Sequence, residues 1–534
     1  MERLGYDPYK LIESAQLVQS EYDLGEIGAP DHEAGVCAYS VNAGDMTPEE
    51  LSLSAAEDAA CFPVPQVDDP AVAMDEAMGA LREGIEDAKA KGTSIEFLDE
   101  LQTILEETVD VIRLVLGGDP PVDIPPMRIK LKSEATPVRS RARRYSSAHR
   151  EFLARHVKML LDAGLCYRNP SSQWCAPPHI VPKGDGHRMT VDVREANKRV
   201  VPLVWSMSIL EVEFDRLRGM KFYFSLDFFK GFWQFAVAVD CQEVYSILTE
   251  DSVITPTRVL MGGTNSVSYV QSTVQAMFGD LFDNGLLIWI DDLLGYADSP
   301  EELLRILRRV LTICEEKGLK LNPKKGKFFM AEALWCGRIV SGGGVRHDPA
   351  RIQALRELPA PSTGQELQQF MCALNWMRMS LPAFNKLINP ISQFVEKVYT
   401  AAGGRKKSLV RRVTLREVNG SEVELAALQS CKEALEHALT LAHQDPEKRL
   451  CVFTDVSDEH WGAAITQVPQ NHLHRDFADQ HHEPLMMRSG TFSGGAKHWA
   501  IVEKEAYAIV ETCKRADYWF VGLMVSVCSP ITEI

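Results

Sequence analysis

The stretch LLIWIDDLLGYAD, residues 286–298, constrains this chain more than any other. Two adjacent carboxylates, Asp291 and Asp292, interrupt an apolar run that reads on either side as a short buried strand. Burying an unpaired carboxylate costs several kcal/mol, so two of them need compensation. Two readings are open at this point. The pair is either the acidic tip of a hairpin in water, Asp being a common turn residue, or part of a metal site. Upstream, Asp227 in FYFSLDFFKGFWQF is another carboxylate flanked by strand-forming apolar residues. Alone, it reads equally as an Asp capping a turn at a strand end. A catalytic metal pair about 4 Å apart needs several carboxylates converging on one point. Three Asp on two strand-like segments make that convergence the stronger account.

A chain of 534 residues has room for about three domains. It contains no run of about 18 apolar residues, so no membrane span is expected. The N-terminus MERLGYDPYK lacks the layout of a secretory signal. Twelve Cys without a CxxC pair suggest neither a disulfide framework nor a zinc ribbon, and point to a reducing intracellular setting, cytoplasm or nucleus. The net charge of −17 looks wrong for a nucleic-acid binder until it is divided. Residues 1–125 hold 28 acidic and 6 basic side chains, a net of −22, and the remainder is mildly basic at +5. Charge therefore permits a polyanionic partner without requiring one.

Residues 1–125 are expected to be acidic and partly disordered, with one helix over MDEAMGALREGIEDAKAK and a firmer one near 94–116. For the latter, Thr93-Ser94-Ile95-Glu96 has capping-box spacing, Leu98, Leu101, Leu105, Ile112 and Leu116 form a stripe, and GGDPP is the stop. Arg139, Arg141, Arg143 and Arg144 form a basic run that reads equally as a phosphate contact or a solvated linker. Next come a helix over AHREFLARHVKMLLDAGL ending at Gly164, and a hairpin in HIVPKGDGHRMTVDV turning at Gly184-Asp185-Gly186. PEELLRILRRVLTICEEKGLKLN is an amphipathic helix closed by Gly318. Strands and helices alternate irregularly, which fits an α+β body better than a doubly wound sheet.

Seven segments in order resemble the reverse transcriptases of gypsy-like long-terminal-repeat retrotransposons, over about residues 120–523: RMTVDVREANK, FSLDFFKGFWQ, MGGTNSVSYVQ, WIDD, GLKLNPKKGKFF, LWCGRIVS and HDPARIQALRELPAPSTGQELQQFMCALNWMR. The resemblance implies a right-hand polymerase fold, with fingers and palm over residues 126–345 and thumb and connection over 346–445. It implies that Asp227 and Asp291 hold two Mg²⁺, with Mn²⁺ a possible substitute, and that Asp292 supports the site. Lys183 and Arg188 would hold the triphosphate of the incoming deoxynucleotide. Without the family they read as surface cations. Phe232 would sit under the sugar as the gate that excludes a 2′-hydroxyl; periodicity alone makes it a core aromatic. The implied partners are an RNA or DNA template-primer and deoxynucleotides. The chain departs from the family at Trp289, where Tyr is usual, and at Leu260 and Met261, where a Pro and an aromatic or Gln usually precede Gly262. It also has the single Lys183 where a lysine cluster is frequent.

Residues 446–534 resemble a truncated ribonuclease H domain. Asp455 in LCVFTDVSDEHWGAAITQV matches its first metal ligand, and Glu505 in HWAIVEKEAYAIVETCKRADYWFVG matches the catalytic Glu better than Glu503 does. Pro530 falls where a further Asp is expected, so ribonuclease H activity is expected to be lost. His472, His474, His481 and His482 have the look of a zinc site but read better as a polar loop, and RKKSLVRR from Arg405 is a basic stretch in the connection. With no Asp-Ser/Thr-Gly triplet and no Cys/His knuckle, the chain is expected to be a piece of a larger Pol polyprotein. The leading expectation is an RNA-directed DNA polymerase. The alternative is a catalytically inactive retroelement relic that only binds nucleic acid.

Overall fold

The computed structural model of the chain describes residues 70–115, 118–183, 186–205, 209–405, 407–418, 422–476, 479–520 and 525–528. The readings made above for residues 1–69, Leu116, the Gly184-Asp185 turn and Pro530 lie outside these. The chain divides into two compact units, one ending at Cys336 and the other beginning at Gly337. No described helix is long and apolar enough to cross a membrane.

In the first unit, α1 (Pro70–Ala90) and α2 (Ile95–Glu107) come first. Their buried residues, among them Leu81, Phe97, Leu101 and Ile104, join the same hydrophobic core as the central sheet. The described part of the acidic segment is thus built into this unit. Capping starts one residue later than the Thr-x-x-Glu spacing predicts: Ser94 Oγ accepts the Phe97 N–H at 3.2 Å. Thr93 is engaged elsewhere, its hydroxyl donating to Ala88 O at 3.0 Å and so closing α1. Helix α2 also stops at Glu107 and does not reach 116. The run Thr108-Val109-Asp110-Val111-Ile112 is rich in β-branched residues, which lose side-chain freedom in a helix. It pairs with a distant segment instead: Leu321 N–H donates to Val111 O at 2.8 Å, and Arg113 N–H to Leu321 O at 3.0 Å.

The chain continues through α3 (Ser147–Asp162) into the antiparallel hairpin of β1 (Pro178–Lys183) and β2 (Gly186–Val191). Then follow β3 (Phe222–Asp227), α4 (Ser266–Phe278), β4 (Leu286–Trp289), β5 (Asp292–Ala297), α5 (Pro300–Lys317) and β6 (Lys327–Met330). The four strands β3 to β6 form an antiparallel sheet in the order β4-β5-β3-β6. Helix α5 packs on β5 and β3, and α4 on β4. Ser299 caps α5 and Gly318, at φ 72°, ends it. Gly295 is needed because Phe224, its partner on β3, lies over it: a Cβ there would stand 2.1 Å from the ring.

The second unit opens with the hairpin of β7 (Arg338–Ser341) and β8 (Gly344–His347). Helices α6 (Gly364–Trp376), α7 (Phe384–Ala402) and α8 (Glu422–Ala434) then pack around Leu367, Phe370, Ile391, Phe394 and Leu428. A mixed sheet follows, made of β9 (Arg449–Val456), β10 (His460–Val468), β11 (Glu483–Thr491) and β12 (Val525–Cys528) in the order β11-β10-β9-β12. Only the β9–β12 pair is parallel. Helix α9 (Ile501–Arg515) packs on β9 and β10. The architecture is α+β in both units.

Candidate active site

Antiparallel pairing of β3 with β5 sets Asp227 directly opposite Asp292, the last pair of the ladder. Strands β4 and β5 are joined by a two-residue loop, Ile290-Asp291, closed by the Trp289–Asp292 pair. Ile290 has φ 57°, and Asp291 is not in the left-handed region, as in a type II′ turn. A β-branched residue held there costs about 1–3 kcal/mol and persists only where its surroundings over-determine it. Gln271 on α4, fully buried, does this. Its Nε2 donates to Ile288 O at 3.0 Å and its Oε1 accepts the Ile290 N–H at 2.6 Å. The tip is also tied to β3, because Phe228 N–H donates to Asp291 O at 3.0 Å. Gly231 faces the Asp291 side chain so closely that a Cβ would stand 3.2 Å from that of Asp291.

Three carboxylates therefore meet at one end of the sheet. Asp227 and Asp291 are each only 8% exposed, which removes the reading of a hairpin tip in water. Burial raises the Asp292 carboxyl well above the ordinary carboxylate range, reinforced by the charges of Asp291 and Asp227 and by a hydrogen bond with Asp227. Lys325 works in the opposite direction. Its Nζ donates to Asp227 Oδ2 at 3.2 Å. Burial is the main cause of the upward shift of Asp292, and the neighbouring carboxylates add to it. A divalent cation relieves the repulsion among the three, and the donors are the hard carboxylate oxygens that Mg²⁺ takes. Among the described residues, no set of three or more His, Cys, Asp or Glu stands as a ready-made metal cage.

The structure brings Asp227, Asp291 and Asp292 together. Lys183 and Arg188 lie on opposite arms of the β1–β2 hairpin, Lys183 paired with Gly186 and Arg188 with Val181, while their side chains lie outside the described part. Phe232 is 5% exposed and belongs to the core of the first unit, as a structural aromatic does. Of the basic run, Arg143 pairs with Asp192 at 2.9 Å and Arg139 donates to Gln173 O. In the second unit Asp455 is exposed near the end of β9, and Glu505 is half-buried on α9, which packs on that strand. Glu503 is occupied at the start of α9, its carboxylate accepting the Ala500 N–H at 2.8 Å. His482 Nδ1 and the Thr466 hydroxyl are 3.0 Å apart. Gln271 and Lys325 were not foreseen as site residues, although MGGTNSVSYVQ and GLKLNPKKGKFF contain them.

Residues 181–359 match the family model for reverse transcriptase (RNA-dependent DNA polymerase), and residues 421–527 that for an RNase H-like domain found in reverse transcriptase. The Pol polyprotein from transposon 297 of Drosophila melanogaster is 22% identical over 400 residues, covering 74% of this chain and 35% of that protein. The one from transposon gypsy of the same organism is 23% identical, covering 70% and 35%. The foamy viral protease-reverse transcriptase in complex with dsDNA superposes with a TM-score of 0.71 at 20% identity, over 85% of this chain and 89% of that one. Its complex with an RNA/DNA hybrid gives 0.72, over 86% and 58%. The fold is that of a retroviral reverse transcriptase with an RNase H-like domain after it. Residues 181–359 thus match a reverse transcriptase domain and residues 421–527 an RNase H-like domain, and the relatives that the chain resembles are retrotransposon Pol polyproteins. The chain spans about a third of the length of these relatives.

Proposed function

We propose that the chain is an RNA-directed DNA polymerase that extends a DNA primer on an RNA or DNA template, as an intracellular part of a larger Pol polyprotein. The observation that carries the reading is the convergence of Asp227, Asp291 and Asp292 across the β3–β5 ladder. Asp227 and Asp291 would hold two Mg²⁺, or Mn²⁺ in their place. When bound, these ions lower the pKa of the primer 3′-hydroxyl and neutralise charge developing at the α-phosphate. Asp292 steadies Asp227 through their hydrogen bond. Lys183 and Arg188 hold the nucleotide triphosphate from the fingers hairpin, and Phe232 excludes a 2′-hydroxyl. In this reading residues 126–345 are fingers and palm, 346–445 thumb and connection, and 446–534 a ribonuclease H-like domain.

One observation favours the alternative of an inactive relic: Trp289, paired with Asp292, stands where the family usually places Tyr. Primer extension decides between them. Purified protein with Mg²⁺, a primed RNA template and deoxynucleotides extends the primer, and Asp291→Asn abolishes extension because it keeps the shape but removes a charge. Template binding without extension by the unsubstituted protein would establish the relic.

A further inference from the structure

We propose that α1 is a positioning element for the catalytic loop: through Gly84 and Glu76 it sets where Lys325 meets Asp227. The proposal rests on the reading of Asp227 as a catalytic carboxylate. Helix α1 lies outside residues 181–359, to which the polymerase family model is matched.

The loop between α5 and β6 is held from two sides. From the active site, Asn322 N–H donates to Asp227 O at 2.9 Å, and Lys325 Nζ to Asp227 Oδ2 at 3.2 Å. From α1, Glu76 takes Lys324 Nζ at 2.7 Å, and Asp87 stands 3.9 Å from Lys327 Nζ. Lys324 and Lys327 flank Lys325 in sequence, so α1 meets cations on either side of it, Asp87 also taking Lys91 Nζ at 2.7 Å. These pairs are half-exposed, and each contributes little by itself.

The distance is set by an apolar contact. Ala77, Ala80, Leu81, Gly84 and Ala88 line the buried stripe of α1 at helical spacing, and the helix packs on β6. Phe328 of β6 lies against Gly84 so closely that a Cβ would stand 2.7 Å from its ring. Glycine is unfavourable in the middle of a helix of 21 residues, so its place here is explained by that approach. Phe328 is three residues beyond Lys325, and β6 pairs with β3, which carries Asp227. A displacement of α1 from β6 is therefore felt first in the loop.

The test uses the whole chain and two readouts. In Gly84→Ala, amide hydrogen exchange over residues 322–326 should speed up about tenfold, while β5 exchanges as before. Phe328→Leu in the same background, which makes room for the new methyl, should restore protection. Primer extension should slow in Gly84→Ala, and Gly84→Ala should add nothing to the loss caused by Lys325→Met, because both act through one ammonium group. A purely structural role would make the two losses additive, and that result, like unchanged loop exchange in Gly84→Ala, overturns the proposal. If Gly84→Ala is too unstable to purify, Glu76→Gln keeps the helix and should shift the same amides by about twofold. No extension by the unsubstituted protein would remove the polymerase reading, while loop exchange would still decide whether α1 acts as the brace.

Discussion

Gln271 is the side chain whose replacement should most directly loosen the hairpin that carries Asp291 and Asp292. Gln271→Leu keeps the volume and the buried position but removes both bonds to the turn, the donation to Ile288 O and the acceptance from Ile290 N–H. Each backbone group left without its partner in a buried setting costs about 1–3 kcal/mol. The left-handed Ile290, at φ 57°, then loses the contact that opposes its strain. The expected destabilisation is roughly 2–4 kcal/mol, read as a lower urea midpoint at constant slope. Extension should fall further than the folded fraction does, because Asp291 sits on the residue after the strained one. Ile290→Gly supplies the matching control. Glycine adopts this φ freely, so in the Gln271→Leu background it should recover about 1–2 kcal/mol, net of the packing lost with the half-buried Ile side chain. The reasoning is refuted if Gln271→Leu matches the unsubstituted protein within about 0.5 kcal/mol, or if Ile290→Gly recovers nothing in its background.

Phe232→Ala should admit ribonucleotides in the extension assay, and truncating so buried a ring should also cost about 3–5 kcal/mol. Unchanged discrimination in protein that remains folded would make Phe232 purely a core residue. His156 on α3 is held down at about 4 by burial, with a contribution from Lys230, against an ordinary value of 6.5. The unfolded chain takes up the proton first, so stability should fall as pH drops from about 6.5 to about 4, by about 3 kcal/mol. Urea midpoints across that range should flatten in His156→Gln, and identical profiles would exclude His156 as their source. The chain should leave the RNA strand of a labelled hybrid uncut with Mg²⁺ or Mn²⁺, because Asp455 and Glu505 supply two acids and position 530 is Pro. Cleavage that disappears in Asp455→Asn would mean that a further acid completes that site. Asp458 would be the first to replace, since Glu503 is already engaged with the Ala500 N–H.

What could be read in the sequence, and what could not, follows from where the partner of each residue lies. Asp227, Asp291 and Asp292 were legible because charge inside an apolar run is expensive, and an expensive residue points to whatever compensates it. Helix α5 was legible because its apolar stripe and Gly318 are local signals. The start of α2 was displaced by one residue because two adjacent hydroxyls compete for one cap. Which of them wins depends on the end of α1, where Ala88 O takes Thr93. Its length was overestimated because an apolar stripe does not distinguish a continuing helix from a β-branched run that pairs with Leu321. Gln271, Lys325 and Gly84 were harder for one reason. Gln271 acts on backbone groups, which every residue carries. Lys325 stands among several lysines and is singled out only by its approach to Asp227. Gly84 is explained by a ring 244 positions further along the chain. Local pattern therefore exposes the charges that are costly to bury, while the groups that hold them in place become visible only once the chain has brought distant segments together.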